Sequence, residues 1–278
     1  MNQTWSARMR GFALLVLAAL SAQAQATQEP FKLGIAPHTS SRVILELYQP
    51  LRTHLEKALG MPVEVQTAPD FTEFARRALH QDYDLVVTTG HQARLLQTDA
   101  KYLPMLTYKA DFKAVVIVPI KSSFKTAKDL KGTTAIGLSA TSLVTLWGEH
   151  WLKAQGMGQV PVRYVSAADS VAQLLLAGEG SAGFVSLANF QKLAPNVQAQ
   201  LRFLAESPTM AGRVYMLNAR QGAKKERLLK ELWAFAGTDA GRQYFEKNNL
   251  EGYRLLRKRE LESMDPFAAE VRRTLQQK

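Results

Sequence analysis

Residues 31–59 read FKLGIAPHTSSRVILELYQPLRTHLEKAL. The apolar run Phe31–Ala36 is typical of a buried strand, and small polar residues follow it at positions 38–41. Apolar residues then recur at helical spacing over Val43–Leu59, and Gly60 is a common helix stop. The stretch predicts a strand, a polar loop and a helix, which together form the repeating unit of a parallel sheet.

The same unit recurs along the chain. Val63–Thr67 precedes a helix predicted over Phe71–Leu79, and Asp84–Thr88 precedes one that runs through Leu96. Further strands are predicted at Leu103–Tyr108, Ala114–Ile120, Thr134–Leu138, Val162–Val165, Ala182–Val185, Leu201–Leu204 and Val214–Leu217. Helices are predicted at Ser142–Gln155, Asp169–Ala177 and Leu187–Leu193, and the chain from Lys224 onward is mostly helical.

Two series of strand–helix units in one chain predict two α/β lobes. The chain passes from the first series to the second around Thr107–Phe112, and its late strands and helices can return to the first. We therefore predict lobe 1 at residues 29–110 plus 211–278 and lobe 2 at residues 111–210. Each lobe is expected to be a mostly parallel sheet flanked by helices, with a ligand cleft between the lobes.

The N-terminus predicts export. Arg8 and Arg10 precede the apolar run Gly11–Leu20, and small residues follow it. A positive start, a short apolar core and an A-x-A ending are the marks of a secretory signal peptide. Residues 1–24 are therefore predicted to be removed after Ala24, with a cut after Ala26 as the alternative, and the mature protein is expected in the periplasm.

Composition narrows the function classes. The chain has no cysteine, and its formal net charge is +11. Without disulfides, an exported protein needs a large core, which 278 residues with 46% hydrophobic composition can build. A basic balance fits nucleic acid, an anionic surface or an anionic ligand. Export argues against nucleic acid, and scattered lysines and arginines are also compatible with ordinary solubility.

Three loops at predicted strand ends are small and polar: residues 38–41, 88–92 and 139–142. Each precedes a predicted helix, whose first N–H groups are unpaired and whose dipole is positive at that end. Hydroxyl side chains there have two explanations, an ordinary helix cap or a cradle of donors for an oxyanion. His38 and His91 lie in these loops, and each could donate to an anion, more strongly when protonated.

The order of motifs resembles a known family. FKLGIAPHTSS, VEVQTAPDFTEFARRAL and DYDLVVTTGHQARLL, in this order, resemble the first lobe of phosphate/phosphite/phosphonate-type periplasmic solute-binding proteins of ABC transporters. AVVIVPIKSSFKTAKDLKGTTAIGLSATS resembles their crossing strand, D-L-K-G turn and hydroxyl-rich loop. The resemblance implies the type II periplasmic-binding-protein fold, a tetrahedral oxyanion as ligand, an ABC permease as partner, and no catalytic role.

Combining loops and resemblance gives the predicted ligand-binding residues: His38, Thr39, Ser40, Thr88, Thr89, Gly90, His91, Ser139, Thr141, Ser142 and Ser186. No acidic residue follows the strand AGFV, where many members of the family carry one that meets an amino group. The resemblance therefore does not extend to a ligand bearing an ammonium. The protein is expected to be a monomer that needs no cofactor.

Alternatives remain open at this stage. The same fold could serve as a periplasmic ligand sensor that signals to a membrane receptor kinase. An exported hydrolase would need a loop serine with His91, but no motif places a carboxylate to orient that histidine, and there is no G-x-S-x-G sequence. A metal site is not expected, because the histidines are dispersed and cysteine is absent.

Overall fold

The computed structural model describes residues 29–277, so the predicted signal peptide lies outside the described residues. Its strands are β1 Phe31–Ile35, β2 Val63–Gln66, β3 Leu85–Thr89, β4 Leu103–Tyr108, β5 Ala114–Pro119, β6 Ala135–Gly137, β7 Val162–Tyr164, β8 Ala182–Ser186, β9 Leu201–Glu206, β10 Arg213–Leu217 and β11 Tyr253–Arg254. Its α-helices are α1 Ser41–Leu59, α2 Phe71–Leu79, α3 Gly90–Asp99, α4 Leu143–Ala154, α5 Ala168–Leu176, α6 Leu187–Gln191, α7 Pro195–Gln198, α8 Lys225–Gly237, α9 Asp239–Lys247 and α10 Asp265–Gln276. Short 3-10 helices lie at Ala127–Leu130, Ala219–Lys224 and Glu262–Met264.

The strands form two sheets, which define the two lobes. The six-stranded sheet of lobe 1 has the order β11-β4-β10-β3-β1-β2. Strand β1 pairs in parallel with both β2 and β3, while β10 runs antiparallel between β3 and β4. The late strand β10 therefore lies in the middle of a sheet that the first part of the chain begins.

Lobe 2 has a five-stranded sheet of order β7-β6-β8-β5-β9. Strand β6 pairs in parallel with β7 and β8, and β5 runs antiparallel to β8 and β9. Both sheets are thus mixed and not mostly parallel as expected. Parallel pairs join β1, β2 and β3 in lobe 1 and β6, β7 and β8 in lobe 2, whereas β10 and β5, which each follow a crossing between the lobes, pair antiparallel with both neighbours. The division between residues 110 and 111 and between 210 and 211 remains our proposed lobe boundary.

The two crossings lie side by side. One leads from β4 to β5 and the other from β9 to β10, and an antiparallel bridge joins Phe112 to Met210. The Met210 N–H donates to the Phe112 carbonyl oxygen at 2.9 Å. A pair of adjacent crossing segments is the usual hinge of a two-lobed protein, because few residues change conformation when the lobes move.

The amphipathic pattern of the sequence explains how α1 packs. Its buried side chains are Ile44, Tyr48, Leu51 and Leu55, which recur on one face against the sheet of lobe 1. The helix ends at Gly60, whose φ of 69° is the left-handed conformation that glycine adopts without strain. The helix thus ends at the predicted stop, but its buried face differs at the first turn from the predicted apolar pattern, because Ile44 is buried there and Val43 and Leu45 are exposed.

The C-terminal helix α10 contacts both lobes. Ala268 and Val271 pack in one cluster with Ala75 and Leu95 of lobe 1 and Leu146 of lobe 2. Arg94 donates to the Asp265 carboxylate at 2.6 Å, which fixes the start of α10 to lobe 1. In the chain from residue 29 to 277, no helix is both long and apolar enough to span a membrane.

Candidate functional site

A cavity of about 110 Å³ lies between the two lobes. Because one water needs about 10–15 Å³ on this measure, the cavity has room for a small ligand. Lobe 1 contributes the lining residues His38, Phe71, Thr89, Tyr108, Gly212, Arg213, Asn248, Asn249 and Leu250. Lobe 2 contributes Leu138, Ser142, Leu143, Val144, Ser186, Ala188, Asn189 and Lys192, and the crossing contributes Ala110, Asp111 and Phe112.

Two helices begin at the cavity, one from each lobe. Thr89 precedes α3 and Ser142 precedes α4, and neither side chain caps its own helix. Both residues are buried, with 6% and 2% of their surfaces exposed. The Thr89 Oγ1 atom has no hydrogen-bond partner among the described residues. Two unused hydroxyls at the positive ends of two helix dipoles suit a ligand that is negatively charged and rich in oxygen.

Ser186 reaches the same cavity at the end of β8. Its Oγ accepts the N–H of Asn189 at 3.1 Å, so this hydroxyl serves as the cap of the short helix α6. Because a hydroxyl can donate its proton while its oxygen accepts a bond, Ser186 can still donate to a ligand. Hydroxyls at helix starts were explained either as helix caps or as donors for an oxyanion. Ser186 is a cap, whereas Thr89 and Ser142 are not caps and can donate to a ligand in the cavity.

The main charge in the cavity is Arg213, at the start of β10. Arg213 lies opposite Thr89 in the antiparallel pair of β10 and β3, which puts both side chains on one face of the sheet. Its Nη1 donates to His38 Nε2 at 3.1 Å, and its Cζ lies 5.2 Å from the centre of the Tyr108 ring. Within residues 29–277 the guanidinium forms no ion pair with a carboxylate.

His38 is neutral in this arrangement. Its Nδ1 donates to the Ala36 carbonyl oxygen at 2.9 Å, which leaves Nε2 to accept from Arg213. Burial and the charge of Arg213 lower the pKa of His38 to about 3. Its second nitrogen faces a permanent cation, so His38 near neutral pH has no N–H left to donate to an anion in this arrangement. His38 holds Arg213 in place and supplies no negative charge to it.

A buried tyrosine network lies behind Arg213. The Tyr108 hydroxyl is hydrogen-bonded to those of Tyr215 and Tyr244, at 2.8 and 2.6 Å, and the Tyr215 hydroxyl to that of Tyr253 at 2.9 Å. Burial raises the pKa of Tyr108, Tyr215 and Tyr244 well above the ordinary value, so the rings stay neutral. The network orients Arg213 through the Tyr108 ring and leaves its charge uncompensated.

His91 and Thr141 join the lobes beside the cavity. His91 Nε2 donates to the Thr141 carbonyl oxygen at 2.9 Å, and Thr141 Oγ1 is hydrogen-bonded to Thr72 Oγ1 at 3.0 Å. Burial lowers the pKa of His91 to about 4, so this side chain is neutral near pH 7 and its Nε2–H is used by Thr141. In the described chain, His91 Nδ1 and Ser139 Oγ are buried without a hydrogen-bond partner.

The remaining predicted site residues lie away from the cavity lining. Thr39 and Ser40 are exposed. The hydrogen bond from His38 to the Ala36 carbonyl oxygen turns the His38 side chain toward the cavity and leaves Thr39 and Ser40 on the outside of the loop. Thr88 is buried, and its hydroxyl donates to Gln92 at 2.9 Å. Gly90 is in close contact with Ala211, since a Cβ on Gly90 would lie 2.4 Å from the Ala211 Cβ.

Sequence reasoning missed most of the charged and aromatic part of the lining, including Phe71, Tyr108, Lys192 and Arg213, and it also missed the amide of Asn189. Arg213 directly precedes the predicted strand Val214–Leu217, and its distance along the chain from Thr89 concealed their pairing. No cluster of three or more histidine, cysteine or carboxylate side chains with the arrangement of a metal site occurs between residues 29 and 277.

Comparisons with known proteins agree with this geometry. A family model described as ABC transporter, phosphonate, periplasmic substrate-binding protein matches residues 33–261. No protein with a curated description matches the chain.

Solved structures are similar over nearly the whole described chain. PhnD1 from Prochlorococcus marinus (MIT 9301), in complex with methylphosphonate, has a TM-score of 0.76 at 15% identity, covering 87% of this chain and 98% of that chain. XAC2383 from Xanthomonas citri bound to ATP gives 0.74 at 18% identity, covering 89% and 98%. A binding protein component of an ABC phosphonate transporter from Pseudomonas aeruginosa gives 0.74 at 14% identity, covering 89% and 88%. These similarities confirm the predicted two-lobed α/β fold.

Proposed function

Because this chain belongs to the periplasmic substrate-binding proteins of phosphonate ABC transporters, we propose that it captures a small oxyanion of the phosphonate, phosphite or phosphate class for an ABC importer. The match confirms the resemblance found in the sequence. As a member of this family the chain is a periplasmic binding protein and not an enzyme. The identity of the anion, the permease that receives it and the monomeric state belong to the proposal.

The observation that carries the proposal is Arg213. A guanidinium is always charged in proteins, and a partly buried charge without a counter-ion is unfavourable. Arg213 lines the cavity with a neutral histidine and neutral tyrosines around it. An anion in the cavity would supply the missing charge, and Thr89 and Ser142 would donate to its other oxygens.

The size and walls of the cavity support a small guest. Apolar side chains, among them Phe71, Leu138 and Val144, line part of it and are suited to a small alkyl substituent. The methylphosphonate in the structure of PhnD1 from Prochlorococcus marinus has this chemistry. We propose the same class of ligand here on the strength of the residues that line this cavity.

Isothermal titration calorimetry of the purified protein against methylphosphonate, phosphite, phosphate and sulfate tests the proposal. We expect micromolar or tighter binding of at least one phosphorus oxyanion. Arg213→Gln should weaken that binding about 30-fold or more, since removing one partner of a buried charge pair costs about 2–5 kcal/mol. Arg163→Gln, in an exposed ion pair with Glu179, is the control and should bind as the wild type does.

Silence of the wild type toward all four anions would overturn the ligand class. Delivery to an importer is tested separately, by growth of a strain that lacks this protein on the bound anion as sole phosphorus source. Loss of growth, restored by the wild type and not by Arg213→Gln, is expected. The alternative role as a sensor for a membrane receptor kinase gains no support from the comparisons and stays a hypothesis.

A further inference from the structure

Two cations line the cavity from opposite lobes. Arg213 belongs to β10 of lobe 1, and Lys192 directly follows α6 of lobe 2. Lys192 is exposed at the rim, and like Arg213 it forms no ion pair with a carboxylate of residues 29–277. Partial burial and the nearby charge of Arg213 both lower the pKa of Lys192. Both positive charges line one cavity of about 110 Å³, so they repel each other across it.

Asp111 is the one carboxylate among the described lining residues, and it does not neutralise the positive charge inside the cavity. Asp111 lies in the crossing segment and is exposed, and its Oδ2 accepts the Thr209 hydroxyl at 3.3 Å. The positive charges of Lys113 and Arg254 also act on it from outside the lining. The cavity thus presents two cations to a guest, Arg213 from inside and Lys192 from the rim, in addition to the positive ends of α3 and α4.

We propose that Arg213 and Lys192 together make this site selective for anions that carry two negative charges over anions of the same shape that carry one. This inference rests on the proposed function and adds the charge state of the ligand to it. A monoanion compensates one cation and leaves the other facing it with no partner. A dianion compensates both, and the gain is large where the walls exclude water.

Methylphosphonate and methanesulfonate are suitable probes, because they have the same tetrahedral shape and methyl group but differ in charge at about pH 8. Their dissociation constants are measured by calorimetry, with sulfate as a second dianion. We expect the wild type to prefer methylphosphonate by about 100-fold or more. Lys192→Gln should reduce that preference at least tenfold, with most of the loss in the affinity for the dianion.

Lys153→Gln is the matched control, because Lys153 is an exposed lysine of the same lobe outside the cavity lining. It removes the same charge and should leave the preference unchanged. Lys192→Arg keeps the charge and should retain the preference, which separates charge from side-chain shape. The melting temperature of each ligand-free variant is measured beforehand, and Arg213→Gln provides a second test of the same ratio.

The outcomes distinguish the two proposals. If the wild type binds neither probe nor sulfate, the proposed function fails. If it binds methylphosphonate and methanesulfonate with equal affinity, or if Lys192→Gln weakens both by the same factor, the anion site stands and the selectivity proposal is overturned.

Discussion

Two histidines, the half-buried His38 and the buried His91, are held in the neutral form. His38 donates through Nδ1 and accepts a bond from Arg213, and His91 donates through Nε2 to the carbonyl of Thr141. Their pKa values are lowered to about 3 and about 4, chiefly by burial. Both residues therefore have fixed structural roles, His38 in the cavity lining and His91 beside it, and protonation of either one destabilises the folded state.

This predicts how stability depends on pH. The unfolded chain protonates His91 below about pH 6.5, whereas the folded chain does so only near pH 4. The free energy of unfolding should stay level above pH 6.5 and fall as the pH drops from 6.5 toward 4. His91 alone accounts for about 3 kcal/mol of that loss, at 1.36 kcal/mol per unit of pKa difference.

Urea unfolding followed by circular dichroism between pH 4 and pH 8 measures this slope. His91→Gln keeps an amide donor for the Thr141 carbonyl and should give a shallower curve, with His38 supplying the remainder. His80→Gln, at an exposed position, should reproduce the wild-type curve. Equal slopes for wild type and His91→Gln would contradict the neutral assignment of His91.

At the scale of residues, the sequence analysis identified hydroxyl residues of the cavity lining but not its two cations, Arg213 and Lys192. Small polar residues at the ends of apolar strands are a local pattern, so Thr89, Ser142 and Ser186 could be singled out from the chain alone. Arg213 could not, because its place beside Thr89 depends on β10 inserting between β3 and β4. That pairing joins segments far apart in the chain, and no short-range pattern encodes it.

Among the helices, α3 and α4 differ from α9 in how their first turns are capped. The side chains before α3 and α4 make no capping bond, whereas the Thr238 Oγ1 accepts the Gly241 N–H at 2.9 Å at the start of α9. An unused cap leaves N–H groups of the first turn free for a ligand. The first turns of α3 and α4 therefore have donors left for an anion, whereas α9 satisfies one of its own within the fold.

The difference gives a prediction for two matched alanine variants. Thr238→Ala removes a working cap and should cost about 1 kcal/mol of stability, with no change in affinity for methylphosphonate. Ser142→Ala removes no cap bond and should cost less than about 0.5 kcal/mol, but it should weaken methylphosphonate about fivefold or more. Thermal unfolding and calorimetry give the two quantities. A Ser142→Ala variant that loses stability but binds normally would show that the hydroxyl serves only the helix.

At the scale of elements, strand–helix order and helix ends were predictable because apolar spacing, the stop at Gly60 and a helix-capping residue such as Asp70 are local signals. The Asp70 carboxylate accepts the N–H groups of Thr72 and Glu73 at the start of α2. The structure adds short elements that the sequence did not predict, α7 and β11. The strand β11 has two residues, and it exists because Tyr253 pairs with Tyr108 across the sheet. A strand of that length carries too little pattern to be found before its partner is known.

The whole molecule is held together by three kinds of contact between the lobes. The crossings pair at Phe112 and Met210, and α10 packs on both lobes. Thr141 of lobe 2 forms two hydrogen bonds to lobe 1, through its carbonyl oxygen to His91 at 2.9 Å and through its hydroxyl to Thr72 at 3.0 Å. Of these, the Thr72–Thr141 bond lies beside the cavity and forms only when the lobes are together. It therefore contributes to the closed arrangement and not to the stability of either lobe.

Thr72→Val tests this contribution. The variant removes one hydroxyl bond of about 0.5–1.5 kcal/mol between the lobes and keeps a side chain of the same shape. Affinity for methylphosphonate should fall between about twofold and tenfold, mostly through faster dissociation, while the melting temperature without ligand changes little. Stopped-flow displacement gives the dissociation rate. Thr274→Val, at a hydroxyl that bonds within α10 to the Glu270 carbonyl, is the control.

The position of β10 has a consequence for how the protein is made. The central strand of lobe 1 begins at residue 213, so the first lobe cannot complete its sheet until most of the chain has been synthesised. Pairings between distant segments form slowly. Such a chain leaves the ribosome with its N-terminal half unfinished, which favours passage through a narrow export channel before folding begins on the far side of the membrane.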